Sequence, residues 1–449
     1  MKISKSWIAV AAAAGILLAG CSSGSSDTEA ADEAPAAAEE AAADSGDDGA
    51  AADSGDGDAS AAGACEPLNI AIVAAKTGII SPFDIQPGQA FEMAIDEINA
   101  AGGVCGEQAT VTWTDTKSDP ALTKQIAEKA VADGANIIVA TCDFDFAAPA
   151  LNVAQANGIP GLSLCLGDRK GADLTTVGEF SLSPSPGNAF KGSAAAEFAY
   201  NDKGWTKAYL LQDDLLEYTK SLGDYATGRF VELGGEIVGE DVFTGNEQLD
   251  PSANVTRLRD AAADADVIFI PSVVPAATTM IKAIRDAGIE TPIMMPGAAV
   301  DGTLVTGAIP NISDFYSFPF ACMSAYCEGD PDPDVKAFGD AFVAYTGEDP
   351  YLSYAVLSYE LAKALGAAVE TAGSTDGAAI IKAFETMPPT DYLTGPIAWS
   401  ETCHHTTGRQ QRVVEYQNGQ GTFVKLITPQ KIASVDAGNP CEAAQSTAG

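Results

Sequence analysis

The sequence has 449 residues, of which 46% are hydrophobic, and a formal net charge of −38 at pH 7. A charge of this sign and size disfavours binding to nucleic-acid phosphates and to anionic lipid, so we expect neither kind of partner. The chain from Cys65 onward is long enough to form two lobes that each have a full hydrophobic core.

The first residues have the pattern of an export signal. Lys2 and Lys5 precede an apolar stretch, Trp7–Leu18, that is too short to span a bilayer as a mature helix. We therefore interpret residues 1–20 as a signal peptide. The ending Leu18-Ala19-Gly20-Cys21 closely resembles a bacterial lipobox, which implies cleavage before Cys21 and its acylation, with palmitate among the expected chains. An ordinary secretory peptide with a chance cysteine is the alternative.

The next segment has the composition of a linker. Residues 22–64 are almost entirely Ala, Ser, Gly, Asp and Glu, with no aromatic and no basic residue. Such a segment cannot bury enough apolar surface to offset the entropy of ordering. We therefore expect residues 21–64 to be a disordered acidic tether, lipid-anchored on the outer face of the cytoplasmic membrane. An acidic interaction tail is the alternative.

From residue 68 onward, short apolar runs alternate with helical patterns, which predicts α/β architecture with parallel sheets covered on both faces. The rhythm restarts after a non-periodic stretch at residues 181–188, which predicts two sheets. The predicted strands are 68–73, 110–114, 136–140, 161–165, 207–211, 236–242, 267–270 and 292–295. The predicted helices are 89–103, 120–134, 147–157, 221–235, 255–265, 278–288, 350–373 and 379–387, with residues 76–88 as a turn-rich segment.

The tail from Ile397 to Ile427 alternates apolar and polar residues around Gln417-Asn418-Gly419-Gln420, which predicts a terminal hairpin. In open α/β sheets, ligands bind beyond the carboxyl ends of the strands. The loops after residues 74, 140, 165, 211, 270 and 295 therefore form the predicted site.

Several ordered fragments resemble one known family. They are TGIISPFDIQPGQAFEMAIDEINAAGGV, DTKSDP, VADGANIIVATCDFDFAAPALNVAQANGIPGLSLC, EYTKS, AIRDAGIETPIM and YLSYAVLSYELAKAL. In this order and spacing they resemble the branched-chain amino-acid (Leu/Ile/Val-binding) solute-binding proteins of ABC importers. The resemblance spans most of residues 67–427 and implies a two-lobed type I periplasmic-binding fold.

The resemblance also implies how the chain is divided and what it does. The expected segments are 65–184 plus 321–393 for lobe 1, 185–320 plus 394–435 for lobe 2, and 436–449 for a C-terminal tail. Three hinge crossovers are expected near Ser183–Pro186, Phe318–Phe320 and Leu393–Pro396. The implied function is capture of a small amino-acid-like or related polar solute and its delivery to a membrane permease, by a monomer without a cofactor.

The resemblance places the ligand-binding residues at the strand ends. Asp143–Phe144 and Cys165-Leu166-Gly167 match turns whose backbone N–H groups hold a ligand carboxylate. Phe83 and Tyr218 match pocket aromatics, and Val274 stands where an aromatic is frequent. Ala298 occupies the position of an acidic residue, with Asp301 three residues further along.

The turn after the third strand departs from the family pattern, because Asp143 and Asp145 stand where hydroxyls are frequent. Our hypothesis is that one of them binds a cationic or hydroxyl-bearing group of the solute. The alternative is that Asp145 caps the 147–157 helix and Asp143 faces solvent. The sequence also lacks the partners that a metal site or a catalytic carboxylate pair would need.

Eight cysteines follow Cys21, and an even number in an exported chain suggests disulfides. The implied topology favours the pairs Cys65–Cys105, Cys142–Cys165, Cys322–Cys327 and Cys403–Cys441. No metal site is expected. His404 and His405 are interpreted as surface residues, since neighbours on a strand point to opposite faces and make a poor metal site. Without a catalytic or metal-binding group, we expect no enzyme. A ligand-binding sensor of the same fold and a structural lipoprotein with a vestigial cleft are the competing classes.

Overall fold

The computed structural model describes residues 65–297, 303–323, 327–435 and 440–446. The signal peptide, the lipidation site Cys21, the tether, and the site residues Ala298 and Asp301 lie outside this part of the chain. In the part that is described, no helix has both the length and the apolar character needed to cross a membrane.

Sixteen strands and thirteen α-helices make up the described chain. The strands are β1 (Asn69–Ala74), β2 (Thr110–Asp115), β3 (Ile137–Ala140), β4 (Gly161–Ser163), β5 (Ser181–Leu182), β6 (Lys207–Asp213), β7 (Glu236–Phe243), β8 (Val267–Phe269), β9 (Ile293–Met294), β10 (Phe315–Ser317), β11 (Cys327–Glu328), β12 (Thr390–Tyr392), β13 (Gly395–Ser400), β14 (Cys403–Thr407), β15 (Gln411–Gln417) and β16 (Gln420–Ile427).

The helices alternate with these strands through most of the chain. They are α1 (Ser81–Ala100), α2 (Pro120–Ala132), α3 (Phe144–Asn157), α4 (Leu174–Val177), α5 (Gly187–Glu197), α6 (Glu217–Glu232), α7 (Ser252–Ala261), α8 (Ala276–Asp286), α9 (Thr303–Thr306), α10 (Pro333–Thr346), α11 (Tyr354–Ala372), α12 (Gly377–Thr386) and α13 (Pro440–Ser446).

The first lobe is built on a parallel five-stranded sheet in the order β2-β1-β3-β4-β5. The central strands β1 and β3 are buried almost throughout, whereas the edge strand β2 alternates between exposed and half-buried residues. Helices cover both faces, as expected for parallel strands that read as continuous apolar runs. Helix α1 begins at Ser81, earlier than predicted, because Pro82 suits the first turn and Asp84 lies favourably near the helix N-terminus.

The second lobe has a mixed sheet of eight strands in the order β11-β16-β15-β10-β9-β8-β6-β7. Strands β6 to β10 run parallel to one another, whereas β15 runs antiparallel to both β10 and β16. The second sheet is therefore mixed, because the terminal hairpin adds antiparallel strands to the predicted parallel ones. Strand β11 was expected in lobe 1, yet it pairs with β16 at the edge of the second sheet.

The terminal hairpin consists of β15 and β16 alone. Its turn residues Asn418 and Gly419 have φ values of 53° and 79°, as a two-residue type I′ turn requires. The remainder of the predicted 397–427 hairpin instead forms a separate sheet, β12-β13-β14. This sheet lies beside the first lobe, since the Ser183 N–H donates to the carbonyl of His404 and the Trp399 and Phe384 rings pack 5.0 Å apart.

Both histidines are buried on β14, so the interpretation of His404 and His405 as surface residues is wrong. A ring nitrogen of His404 lies 2.8 Å from the carbonyl oxygen of Ser181, and the other lies 3.2 Å from a Glu385 carboxylate oxygen. Burial lowers the pKa of His405 to about 3. The contacts of His404 connect β14 to β5 and to helix α12.

The three interlobe crossovers meet around one buried ion pair. Arg409 and Glu360 are both fully buried, and Arg409 Nη1 donates to a Glu360 carboxylate oxygen and to Thr394 Oγ1. The Nε of Arg409 donates to the carbonyl of Pro184 at 2.7 Å. One guanidinium therefore joins helix α11 to the first and third crossovers.

The first two side chains of β15 hold the second crossover. Gln411 Nε2 donates to the carbonyl of Phe318 at 2.7 Å, and Arg412 Nη1 donates to that of Phe320 at 2.6 Å. We call Arg409, Glu360, Gln411 and Arg412 the hinge cluster, because together they fix all three crossovers.

Four disulfide bonds connect segments of the described chain. The structure forms the same four disulfides that the implied topology favours: Cys65–Cys105, Cys142–Cys165, Cys322–Cys327 and Cys403–Cys441. The last of these attaches α13 to β14.

Removing the carboxylate of Glu360 should be strongly destabilising. Glu360→Gln leaves the buried Arg409 guanidinium without its counter-charge, which we expect to lower the free energy of unfolding by about 3–5 kcal/mol. Chemical denaturation measures this change. The exposed Glu370 on the same helix provides the control, because Glu370→Gln is expected to change stability by less than about 0.5 kcal/mol. An equal loss in both variants would show that the ion pair is not the cause.

Candidate ligand-binding site

A small cavity lies between the two lobes, beyond the carboxyl ends of the strands. Its volume is about 20 Å³, which is room for a single water molecule. The structure therefore represents a closed cleft. The lining is mostly apolar and aromatic and consists of Ile80, Phe83, Cys142, Asp143, Cys165, Leu216, Tyr218, Val273 and Tyr354.

The floor of the cleft is organised by Asp84, which the sequence analysis did not single out. Its carboxylate accepts hydrogen bonds from the N–H groups of Ala75 at 2.7 Å and Cys142 at 3.0 Å, and from the Thr141 hydroxyl at 2.6 Å. Burial raises the pKa of Asp84 to about 6, against the lowering effect of these hydrogen bonds. Asp84 thus fixes the ends of β1 and β3 relative to each other.

Asp143 is the N-cap of α3. Its Oδ1 accepts a hydrogen bond from the N–H of Asp145 at 3.0 Å, and its side chain is only 7% exposed. The alternative in which Asp143 faces solvent is therefore wrong. Burial raises the pKa of Asp143 well above its usual value, and the nearby carboxylates of Asp168 and Asp145 raise it further. Asp143 thus presents its carboxyl group to the cavity from the start of α3.

Asp145 caps helix α6 rather than α3, so the alternative in which it caps α3 is also wrong. Its Oδ2 accepts a hydrogen bond from the N–H of Glu217 at 2.9 Å, at the first residue of α6 in the other lobe. A carboxylate at a helix N-terminus is favourable because it satisfies a free N–H and opposes the helix dipole. Lys170 strengthens the same junction through an ion pair with Glu217 at 3.1 Å.

A pair of tyrosines also bridges the cleft. The hydroxyl oxygens of Tyr218 on α6 and Tyr354 on α11 lie 2.8 Å apart, and both side chains are buried. The sequence analysis named Tyr218 only. Tyr354 lies within YLSYAVLSYELAKAL, one of the fragments that carry the family resemblance. Its place in that fragment could have marked it as a candidate site residue.

The remaining predicted residues divide into two groups. Phe83 and Cys165 line the cavity, and Val274 follows the lining residue Val273. Leu166 is instead buried in a core cluster with residues of α3, and Phe144 packs beside that cluster with Lys170 Nζ 5.7 Å from its ring centre.

Gly167, the last residue of its predicted turn, abuts a lysine rather than the cavity. A Cβ atom at this position would collide with Lys191 Nζ and would lie 3.1 Å from Asn188 Oδ1. Only the absence of a side chain leaves room for the ammonium group here.

Lys191 is the main feature that the sequence analysis missed. The side chain is fully buried on α5, and its Nζ lies 5.1 Å from the ring centre of Tyr218 and 5.3 Å from that of Tyr354. Burial lowers the pKa of Lys191 to about 7, and the nearby carboxylate of Asp168 acts in the opposite direction. The sequence clue to this buried position was a single lysine in GNAFKGSAAAE, a helix rich in small residues.

Asp168 lies deep beside the same group. Its Oδ2 accepts a hydrogen bond from the N–H of Phe144 at 3.0 Å, while across the described residues its buried Oδ1 has no hydrogen-bond partner. Burial raises the pKa of Asp168 to about 7, opposed by the Phe144 hydrogen bond and by the Lys191 charge. Within the described part of the chain, Lys191 and these buried carboxyl groups therefore form no direct ion pair with one another.

Comparison with known proteins agrees with this geometry. Residues 67–421 match the family described as "Periplasmic binding protein". The chain belongs to this family. Its role is binding rather than catalysis, and the resemblance to branched-chain amino-acid solute-binding proteins of ABC transporters is confirmed. The Leu/Ile/Val-binding protein homolog 3 of Brucella melitensis is 26% identical over 359 residues, covering 76% of this chain and 89% of the relative.

Solved structures show the same fold. The substrate-binding protein LivJ from Streptococcus pneumoniae, in complex with isoleucine, has a TM-score of 0.70 and 22% identity, over 81% of this chain and 100% of that one. A solute-binding protein from Rhodopseudomonas palustris BisB5, in complex with 3,4-dihydroxybenzoic acid, has a TM-score of 0.68 and 20% identity, over 81% and 98%.

The buried ammonium of Lys191 should make stability depend on pH. An unfolded lysine has a pKa of about 10.4, whereas Lys191 in the folded protein has a pKa of about 7. Between these two values the unfolded state binds more protons, so this side chain makes the free energy of unfolding rise with pH.

Lys191→Met keeps the side-chain length and removes the charge. We expect it to raise the free energy of unfolding at pH 6.5 by ~1–4 kcal/mol, and by much less at pH 9.5, in thermal or chemical denaturation. Lys220→Met, on the exposed side of α6, is the matched control and should show no such difference. A Lys191→Met effect of the same size at both pH values would contradict the assignment.

Proposed function

We propose that this protein is the extracytoplasmic solute-binding subunit of an ABC importer, which captures a small amino-acid-like or related polar solute and delivers it to a permease. The observation that carries the proposal is the closed cavity at the strand ends, bridged by the hydroxyl pair of Tyr218 and Tyr354. A cleft that closes by contacts between lobes suits reversible capture, since hinge motion exposes and covers the same residues.

The proposed lobes are residues 65–184 plus 321–393 and residues 185–320 plus 394–435, except that β11 pairs with the second sheet and β13 and β14 lie beside the first lobe. In this proposal, acylated Cys21 anchors the mature chain on the outer face of the cytoplasmic membrane. The acidic segment 21–64 then acts as a tether that keeps a monomeric binding protein close to its permease.

The lining of the cavity supports a solute with an apolar body and few polar groups. Phe83, Tyr218 and Tyr354 provide aromatic walls, which is typical of small-molecule pockets. We propose that Asp143 binds a cationic or hydroxyl-bearing group of the solute, because it is the carboxyl group that lines the cavity. Isoleucine and 3,4-dihydroxybenzoic acid, which two structural relatives bind, each combine an apolar body with such groups.

A thermal-shift screen tests the function directly. Leucine, isoleucine, 4-hydroxybenzoate and 3,4-dihydroxybenzoate are suitable first probes, together with small amides and amines. A true ligand at a hundred times its Kd should stabilise the folded protein by about 2.7 kcal/mol. Absence of stabilisation by the whole panel would contradict a binding function for this class of solutes.

The aspartates of the cleft should respond differently in the same screen. Asp143→Ala is expected to weaken binding of the best probe by on the order of tenfold or more, because it removes a group in contact with the solute. Asp145→Ala removes the cap on α6 and should weaken all probes to a similar, smaller extent. Asp133→Ala, on the exposed end of α2, is the control. Unchanged affinity in Asp143→Ala, measured by calorimetry, would remove Asp143 from the site.

A further inference from the structure

The backbone donors in the turn after β3, which were expected to help hold a solute carboxylate, are already in use in this protein. The N–H of Phe144 donates to Asp168 Oδ2 at 3.0 Å, and the N–H of Asp145 donates to Asp143 Oδ1 at 3.0 Å. The N–H of Cys142 donates to Asp84 at 3.0 Å. Side-chain carboxylates therefore occupy the positions at the end of β3 that a solute carboxylate would take.

A second donor faces the same region and is not saturated. The Nζ of Lys191 has three N–H groups to donate. Within the described ranges it makes one long hydrogen bond, 3.4 Å to Asn188 Oδ1, and no ion pair with a carboxylate. A fully buried ammonium in this state lacks the partners that usually compensate its loss of water.

Lys191 also lies directly behind two tyrosines that line the cavity. The rings of Tyr218 and Tyr354 both contact its Nζ region and both line the cavity. Their hydroxyl contact spans the lobes, so opening of the cleft separates the rings that enclose the ammonium. The close approach of Nζ to Gly167 places it at the turn after β4, beside the cavity residue Cys165.

We propose that Lys191 is an anion subsite of the cleft, where its ammonium binds the carboxylate of the solute. This inference rests on the proposed solute-binding function and narrows it to carboxylic acids with an apolar body. The carboxylate supplies the counter-charge that Lys191 lacks, and the apolar body lies against the aromatic walls. Asp143, which lines the cavity, receives the cationic or hydroxyl group.

Matched acids and amides test this inference, because they differ only in the charged group. The probes are isoleucine with isoleucinamide, benzoate with benzamide, and 4-hydroxybenzoate with 4-hydroxybenzamide, titrated by calorimetry. We expect the wild type to bind at least one acid more tightly than its amide by tenfold or more. Lys191→Met should weaken that acid by on the order of 10–100-fold and leave the amide unchanged.

Two further variants separate a subsite from a general packing effect. Lys191→Arg retains the positive charge and should keep a measurable preference for the acid. Lys220→Met removes an exposed lysine from α6 and should leave both affinities unchanged. Equal binding of acid and amide by the wild type, or retention of acid affinity in Lys191→Met, would overturn the subsite.

Different results would contradict the anion subsite at Lys191 and the solute-binding function. Binding of the amides or of alkylamines without the acids would preserve the solute-binding function and remove the anion subsite. If no probe of any class binds the wild type, both proposals fall together. Thermal unfolding of each variant shows that it is folded before its affinity is measured.

Discussion

The buried pair of Arg409 and Glu360 is the constraint on which the two-lobed arrangement depends. Three chain segments pass between the lobes, and one guanidinium contacts two of them while its neighbours on β15 hold the third. A buried ion pair adds little net stability compared with apolar packing, but it tolerates only one geometry. At the crossovers this property fixes the position of the three connecting segments relative to one another.

The cleft itself has an unusual distribution of charge. Asp84, Asp143 and Asp168 satisfy the N–H groups at the strand ends, and burial raises the pKa of each. The same burial lowers the pKa of Lys191 on the opposing helix. Desolvation thus reduces charge on both sides of the cleft, and a bound solute with its own charges can restore the ionised forms.

The sequence predicted the features that depend on local pattern. Alternating strands and helices, the Asn418-Gly419 turn and the two-lobed class all follow from periodicity, turn chemistry and a family resemblance. Features set by contacts between segments distant in sequence were missed. Tyr354 meets Tyr218 across 136 positions, and the short β11 pairs with β16 rather than with β10, the strand that precedes it in the chain. Lys191 and the histidines of β14 are buried by tertiary packing, which overrides the usual preference of polar side chains for the surface.

The contact between Asp145 and the N–H of Glu217 has a consequence for how affinity arises. Because this helix cap is made between protein groups of the two lobes, it contributes to the free energy of closing independently of contacts with the solute. A larger contribution raises the fraction of molecules in the binding-competent form, and the apparent Kd equals the intrinsic Kd divided by that fraction. Residues that never touch the solute can then set affinity through the population of the closed state. Such residues offer a way for related proteins to adjust sensitivity while keeping the same selectivity.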